Sequence, residues 1–138
     1  MRTILPVALA LALMGVGCDN SSSGTTAPAA VPLTTETFMG TVEPMGIASH
    51  NFTVAQLGEV DITLTAAGPP ATISMGLGVG TPSGSTCTLN IPGGSVSAQA
   101  STTPQLVGTA AAGQLCVAVY DIGNQSAAVN YTVTVAHP

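Results

Sequence analysis

Residues 59–66 read Glu-Val-Asp-Ile-Thr-Leu-Thr-Ala, so that Val60, Ile62 and Leu64 face one way and Asp61, Thr63 and Thr65 the other. A period of two belongs to a half-buried β-strand, because the apolar positions of an amphipathic helix recur every three or four residues. Comparable short runs, set apart by Gly, Pro and Asn, lie at 37–43, 49–55, 72–79, 85–90, 95–100, 105–110, 114–121 and 129–136. Nine short strands with no helical stretch among them predict an all-β, antiparallel β-sandwich. In the last strand Tyr131, Val133 and Val135 are expected inward. Residues 115–120, Leu-Cys-Val-Ala-Val-Tyr, are apolar on both faces and are expected in mid-sheet. The segments 67–72, 90–95 and 121–126 read as turns, since Pro fixes one φ and Gly supplies a positive one.

The first residues have a different character. Arg2, an apolar stretch from Ile4 to Val16 and the small residues Gly15 and Gly17 have the layout of an export signal, 1–17. At about 13 residues the stretch is short of the roughly 20 that a membrane-spanning helix needs. Small residues immediately before Cys18 resemble the lipobox of bacterial lipoproteins, in which the thiol is acylated and the chain is cut just before it. Val16 and Gly17 fit that pattern, while Gly15 stands where the family usually has Leu. The resemblance implies a palmitate-bearing lipid anchor on Cys18 and a place on the extracytoplasmic side of a cell-envelope membrane. The alternative is cleavage after Ala27–Ala29, with Cys18 discarded. Residues 18–35 are rich in Ser, Thr, Ala and Pro without periodicity and read as a flexible tether, followed by the sandwich domain over 36–138.

With Cys18 assigned to a lipid, Cys87 and Cys116 remain as a pair, and in an exported chain a disulfide is the default. The alternative is two buried free thiols. A zinc site would call for Cys-x-x-Cys or neighbouring histidines, which the sequence lacks.

Removing residues 1–17 from 138 leaves 121, enough for one domain with a modest core. It also removes Arg2, the one Lys or Arg in the chain, leaving Asp19, Glu36, Glu43, Glu59, Asp61 and Asp121 and a formal charge of −6. Without cations to neutralise phosphates, nucleic-acid binding is excluded, as is electrostatic attraction to anionic head groups. The 46% hydrophobic content argues for folding rather than disorder. The surface is expected to be neutral and rich in hydroxyls. Such a surface lacks the Lys residues that usually guard edge strands, so self-association is a candidate property.

The order Phe38-Met-Gly-Thr-Val42, then His50-Asn-Phe-Thr-Val54, the strand at 59–66, the glycine alternation at 76–80 and the closing Cys116–Asn124 and Val129–Val135 runs form a recognisable series. It resembles the bacterial pre-peptidase C-terminal domain over about residues 36–136. That resemblance implies a jelly-roll-like sandwich of the kind appended to secreted hydrolases, with a role in secretion or in binding substrate polymers. No catalytic domain is expected alongside it in these residues, and the acids that go with calcium in some relatives are sparse.

Catalytic chemistry has little material. The domain offers His50, His137 and five carboxylates, with no Gly-x-Ser-x-Gly setting for a nucleophile. His137, near the end of the chain, is expected to fray. His50 shares parity with Phe52 and Val54 and is expected to be partly buried and bonded to backbone, with a ligand role as the alternative. Asp121 is expected to cap its own turn; alternatively it joins Asn124 and Glu59 or Asp61 in a weak calcium site, and Asp121, Asn124 and His50 form the candidate weak ligand site. Met39, Met45 and Met75 are expected to fill the core. In 72–79, Ile73, Met75, Leu77 and Val79 share one face, and Gly76 and Gly78 leave the other nearly bare. Close packing, a bend, or a flat ligand such as a sugar would each explain that.

The chain is therefore expected to be a non-catalytic, lipid-anchored binding or structural module without a cofactor. Its expected partners are the membrane through the anchor and a polysaccharide, a protein or further copies of itself. The alternatives are an accessory subunit of a secreted hydrolase and a self-associating surface protein.

Overall fold

A computed structural model describes residue 27 and residues 29–138. Cys18, the export signal and most of the tether lie outside the described residues. All nine expected strands are present: β1 (Thr34–Val42), β2 (Ile47–Val54), β3 (Gly58–Gly68), β4 (Met75–Ser83), β5 (Thr86–Thr88), β6 (Ser95–Ala98), β7 (Leu106–Ala110), β8 (Gly113–Tyr120) and β9 (Val129–His137). β1 begins at Thr34, two residues inside the expected tether, because Thr34 and Thr35 continue the ladder against His137 and Ala136.

The strands form two antiparallel sheets. The first runs β1-β9-β3-β7; the second runs β2-β8-β4-β5, with β6 pairing the other half of β4. Up to β4 the chain changes sheet at every step, and it does so again from β6 onward. That is the double-sheet jelly-roll winding, in which most strand neighbours are distant in sequence. As expected from its apolar faces, β8 lies in mid-sheet between β2 and β4.

The core follows the alternation. Val60, Ile62 and Leu64 of β3, Val129, Tyr131, Val133 and Val135 of β9, Met75 and Leu77 of β4, and Val117 and Val119 of β8 are all buried between the sheets. Each fully buried aliphatic side chain of this kind stabilises the fold by roughly 1.5–3 kcal/mol relative to its exposed state. A register shift between Leu64 and Ala66 inserts Thr65 as an extra residue, so that Ala67 turns inward in its place.

Methionine departs from expectation. Met75 is fully buried, but Met39 is 71% and Met45 93% exposed. Met39 alternates with the inward Phe38 and Gly40, and Met45 occupies the β1–β2 turn with φ 61°. Cys87 and Cys116 form the expected disulfide, with Cα atoms 5.7 Å apart. It fastens the short β5 to the outer side of the central β8.

Candidate functional site

The glycine row of β4 is occupied by the protein itself. A Cβ at Gly76 would run into the Tyr120 ring and one at Gly78 would lie 2.9 Å from the Leu89 side chain. At Gly80 it would overlap the backbone of Thr88. Gly80 stands opposite Cys116, and its neighbours Thr81 and Pro82 pair with Thr88 and Cys87. The glycines therefore permit the β5 segment, held down by the disulfide, and Tyr120 to lie directly on the outer face of β4. This close packing replaces the sugar-binding reading of that face.

Asp121 follows β8 and acts as a knot between two loops. Its Oδ1 accepts from the amides of Gly123 (2.8 Å), Asn124 (3.1 Å) and Gln125 (3.3 Å), and its Oδ2 accepts from that of Met45 (2.8 Å). The Met45 amide foremost, then the three later amides, hold the carboxyl below its usual value, against an opposing effect of desolvation. Asn124 donates through Nδ2 to the Ser74 carbonyl at 3.0 Å. Both side chains are thus engaged in fixing turns.

His50 is elsewhere. It points between the sheets, stacks on Phe38 with ring centroids 4.8 Å apart, and hydrogen-bonds through Nε2 to the Tyr131 hydroxyl at 2.8 Å. Its expected backbone partner is replaced by a side chain of the opposite sheet. Burial lowers the His50 pKa and raises that of Tyr131, so the neutral pair is favoured. The expected grouping of His50 with Asp121 and Asn124 is therefore not formed. Asp61 is also remote from Asp121: it lies opposite Ala136 and Val107, whereas Asp121 donates its amide to Gly46. Among the described residues no group of three His, Cys, Asp or Glu side chains is placed to hold a metal ion.

The end of β9 corrects a further expectation. His137 is 4% exposed, lies against Phe52 with ring centroids 5.3 Å apart, and meets Glu36 Oε1 through Nε2 at 2.9 Å. The next residue accepts a hydrogen bond from the Ala55 amide through its carbonyl oxygen at 2.9 Å. This end of the chain is pinned rather than frayed. Together, Phe38, His50, Tyr131, Phe52, His137 and Glu36 fill the seam where β1 and β9 of one sheet meet β2 of the other.

The opposite seam is open. A cleft of about 290 Å³ enters between β7 and the turn Ile91–Gly94, reaching inward to Val60, Ile62, Val79 and Leu115. Its lining side chains are uncharged and almost all aliphatic, with Leu106 at one wall and Ile91 at the other. Gly108 stands opposite Val60 and so belongs to the inward face, yet a Cβ built on it would meet no atom within 4 Å. The sequence reading missed this cleft. Its one local signal was a glycine in mid-strand, while the opposing wall comes from a turn some fifteen residues earlier.

No protein-family model matches the chain, and a search of curated proteins finds no relative.

Proposed function

We propose that the protein is a non-catalytic binding module of a bacterial cell envelope, anchored on the extracytoplasmic side through a lipid on Cys18. The observation that carries the binding role is the contrast between the two seams. The side chains best suited to chemistry are spent on structure: His50 on Tyr131, His137 on Glu36, and Asp121 on four backbone amides. The β7 seam instead presents an uncharged, preformed apolar recess, the type of surface on which binding sites are built. The resemblance to pre-peptidase C-terminal domains belongs to the same proposal, and the jelly-roll winding is compatible with it. The anchor rests on the sequence from Leu13 to Gly24 and on the disulfide, which accounts for the other two cysteines.

The test of the anchor is fractionation. The full chain produced in a bacterial host should sediment with membranes, and Cys18→Ser should move it to the soluble extracytoplasmic fraction. Retention of the Cys18→Ser protein on membranes would show that something other than a lipid on this residue holds it.

A further inference from the structure

We infer that β7 is a docking edge for an extended, uncharged peptide strand of a partner protein, which pairs with the free backbone of β7 and places an aliphatic side chain in the recess beside Gly108. This inference deepens the proposed binding role and rests on it.

The first argument is that β7 is an unguarded edge. It ladders with β3 on one side and, among the described residues, ends the first sheet on the other. Natural sheets protect such edges with inward charges, prolines or very short strands. Of the other edges, β1 carries the inward Glu36 and β5 and β6 are three and four residues long, whereas β2 also lacks a charge or a proline but closes its seam with the stacked rings of Phe38 and His50 instead of a recess. β7, Leu-Val-Gly-Thr-Ala, is longer than β5 and β6 and has neither a charged residue nor a proline.

The second argument is the recess. At about 290 Å³ it is nearly twice the ~150 Å³ apolar cavity known to accept a benzene ring. Gly108 gives it a mouth, because this inward position of β7 lacks a side chain where a neighbouring strand would bring one.

Chemistry then chooses the occupant. A bare hydrocarbon would fill the recess but would strip water from the free N–H and C=O groups of β7 without offering them partners, which is costly for each group left unpaired. A strand replaces those bonds with ladder bonds while its alternate side chain enters the recess, the usual division of labour in strand addition. A second copy pairing β7 to β7 about a twofold axis centred on Gly108 would set glycine against glycine and leave the recess empty. The uncharged lining disfavours a charged side chain, whose desolvation it could not offset.

The experiment is a titration of the isotope-labelled full-length chain with an acetylated, amidated peptide of alternating threonine and valine, followed by amide chemical shifts. Saturable shifts confined to residues 106–110 and 91–94 are expected. Gly108→Val, which fills the mouth from within, should weaken binding by about tenfold or more while leaving the unfolding temperature no lower. Gly108→Lys, an inward charge with a stem long enough to reach water, should do the same if the valine variant does not fold. Absence of shifts at millimolar peptide, shifts at β1 or β2 instead, or binding untouched by both variants would overturn the inference. Shifts of β7 with protein concentration alone, without peptide, would overturn it in favour of self-pairing. The peptide is recovered and weighed by mass spectrometry: an intact peptide is expected, and cleavage would overturn the non-catalytic role instead.

Discussion

Gly80→Ala and Gly108→Ala are the same chemical change in two strands, and the structure assigns them opposite signs. Neither glycine has a positive φ, so backbone strain does not enter. At Gly80 the new methyl would overlap the Thr88 carbonyl oxygen and lie 2.7 Å from its carbon and 3.1 Å from Leu89 Cα. These are backbone atoms, one residue from Cys87, which is bonded to Cys116 directly opposite Gly80. The crowded segment therefore cannot swing aside as a side-chain tip would. Overpacking of this kind typically costs 1–3 kcal/mol, and the immobility of the neighbour puts Gly80→Ala at about 3 kcal/mol. At Gly108 the methyl meets nothing, so what remains is the reduced freedom of the unfolded chain and some apolar contact, a gain of about 0.4–1 kcal/mol. For a domain of this size each kcal/mol corresponds to about 4 °C or more, giving a fall of at least about 12 °C for one variant and a small rise for the other. Urea and thermal unfolding of the oxidised proteins measure both. Reduction of the disulfide should release β5 and shrink the Gly80→Ala penalty. If the two variants differ by less than about 0.5 kcal/mol, or if reduction leaves the penalty unchanged, close packing against a covalently held segment is not why this row is glycine.

Four further outcomes follow from the same geometry. Reduction of Cys87–Cys116, which lie 29 residues apart, should lower stability by roughly 3–4 kcal/mol, read from urea unfolding as a lower midpoint together with a steeper slope, since the unfolded chain loses its crosslink and exposes more surface. Stability should fall with acidification as pH drops below 6.5, because His50, with its lowered pKa, stays neutral in the folded state while the unfolded chain takes up a proton; below the folded pKa this contribution levels off. His50→Gln should remove that component of the pH dependence, measured as stability at pH 7 against pH 5. Asp121→Ala should speed hydrogen exchange of the Met45, Gly123 and Asn124 amides and leave those of β3 unchanged; the lowered folded pKa means that the knot is intact above 3.8 and is lost as pH falls through its folded value. Glu36→Ala should loosen the end of β9, seen as faster exchange of the Ala55 amide, whose partner is the carbonyl of the residue after His137.

The strands were legible because each one lies at a boundary between core and water, and such a boundary writes itself as alternation. Where a boundary is absent or doubled, the reading weakened. β4 is expected over 72–79 but runs over Met75–Ser83, because its far end pairs with β5, where Pro82 sits in a hairpin arm opposite Cys87. Met39 could have been placed outward by parity with Phe38, whereas Met45 could not, because a turn residue has no alternation to consult. The pairing of Cys87 with Cys116 came from counting cysteines. Partner choice was less accessible: His50 meets Tyr131 of the other sheet across 81 positions and His137 of β9 meets Glu36 of the neighbouring β1 across 101, and no local pattern encodes contacts between segments so far apart in the chain. The β7 recess is hidden for the same reason, because its two walls are brought together by the winding of the chain rather than by either segment.

The two seams of the sandwich show how side-chain volume alone can decide where such a domain is open. Both seams lie between the same two sheets, and close packing would fill both if the side chains allowed it. On the β1 and β2 side the inward positions at the edge carry Phe38, His50, Phe52 and His137, rings large enough to meet across the gap, and their polar atoms find partners in Tyr131 and Glu36. On the β7 side the corresponding positions carry Gly108 and Ala110, facing Gly93 and Gly94, and the gap stays open. An aliphatic chain at position 108 would bury its own surface and the exposed parts of Leu106, Leu115 and Val79, a gain of about 1.5–3 kcal/mol for one fully covered side chain. The glycine forgoes that stabilisation. With a disulfide and a four-amide carboxylate knot restraining the loops elsewhere, a recess left open at β7 would lower the ordering cost of a strand docked there, as the proposed binding role requires.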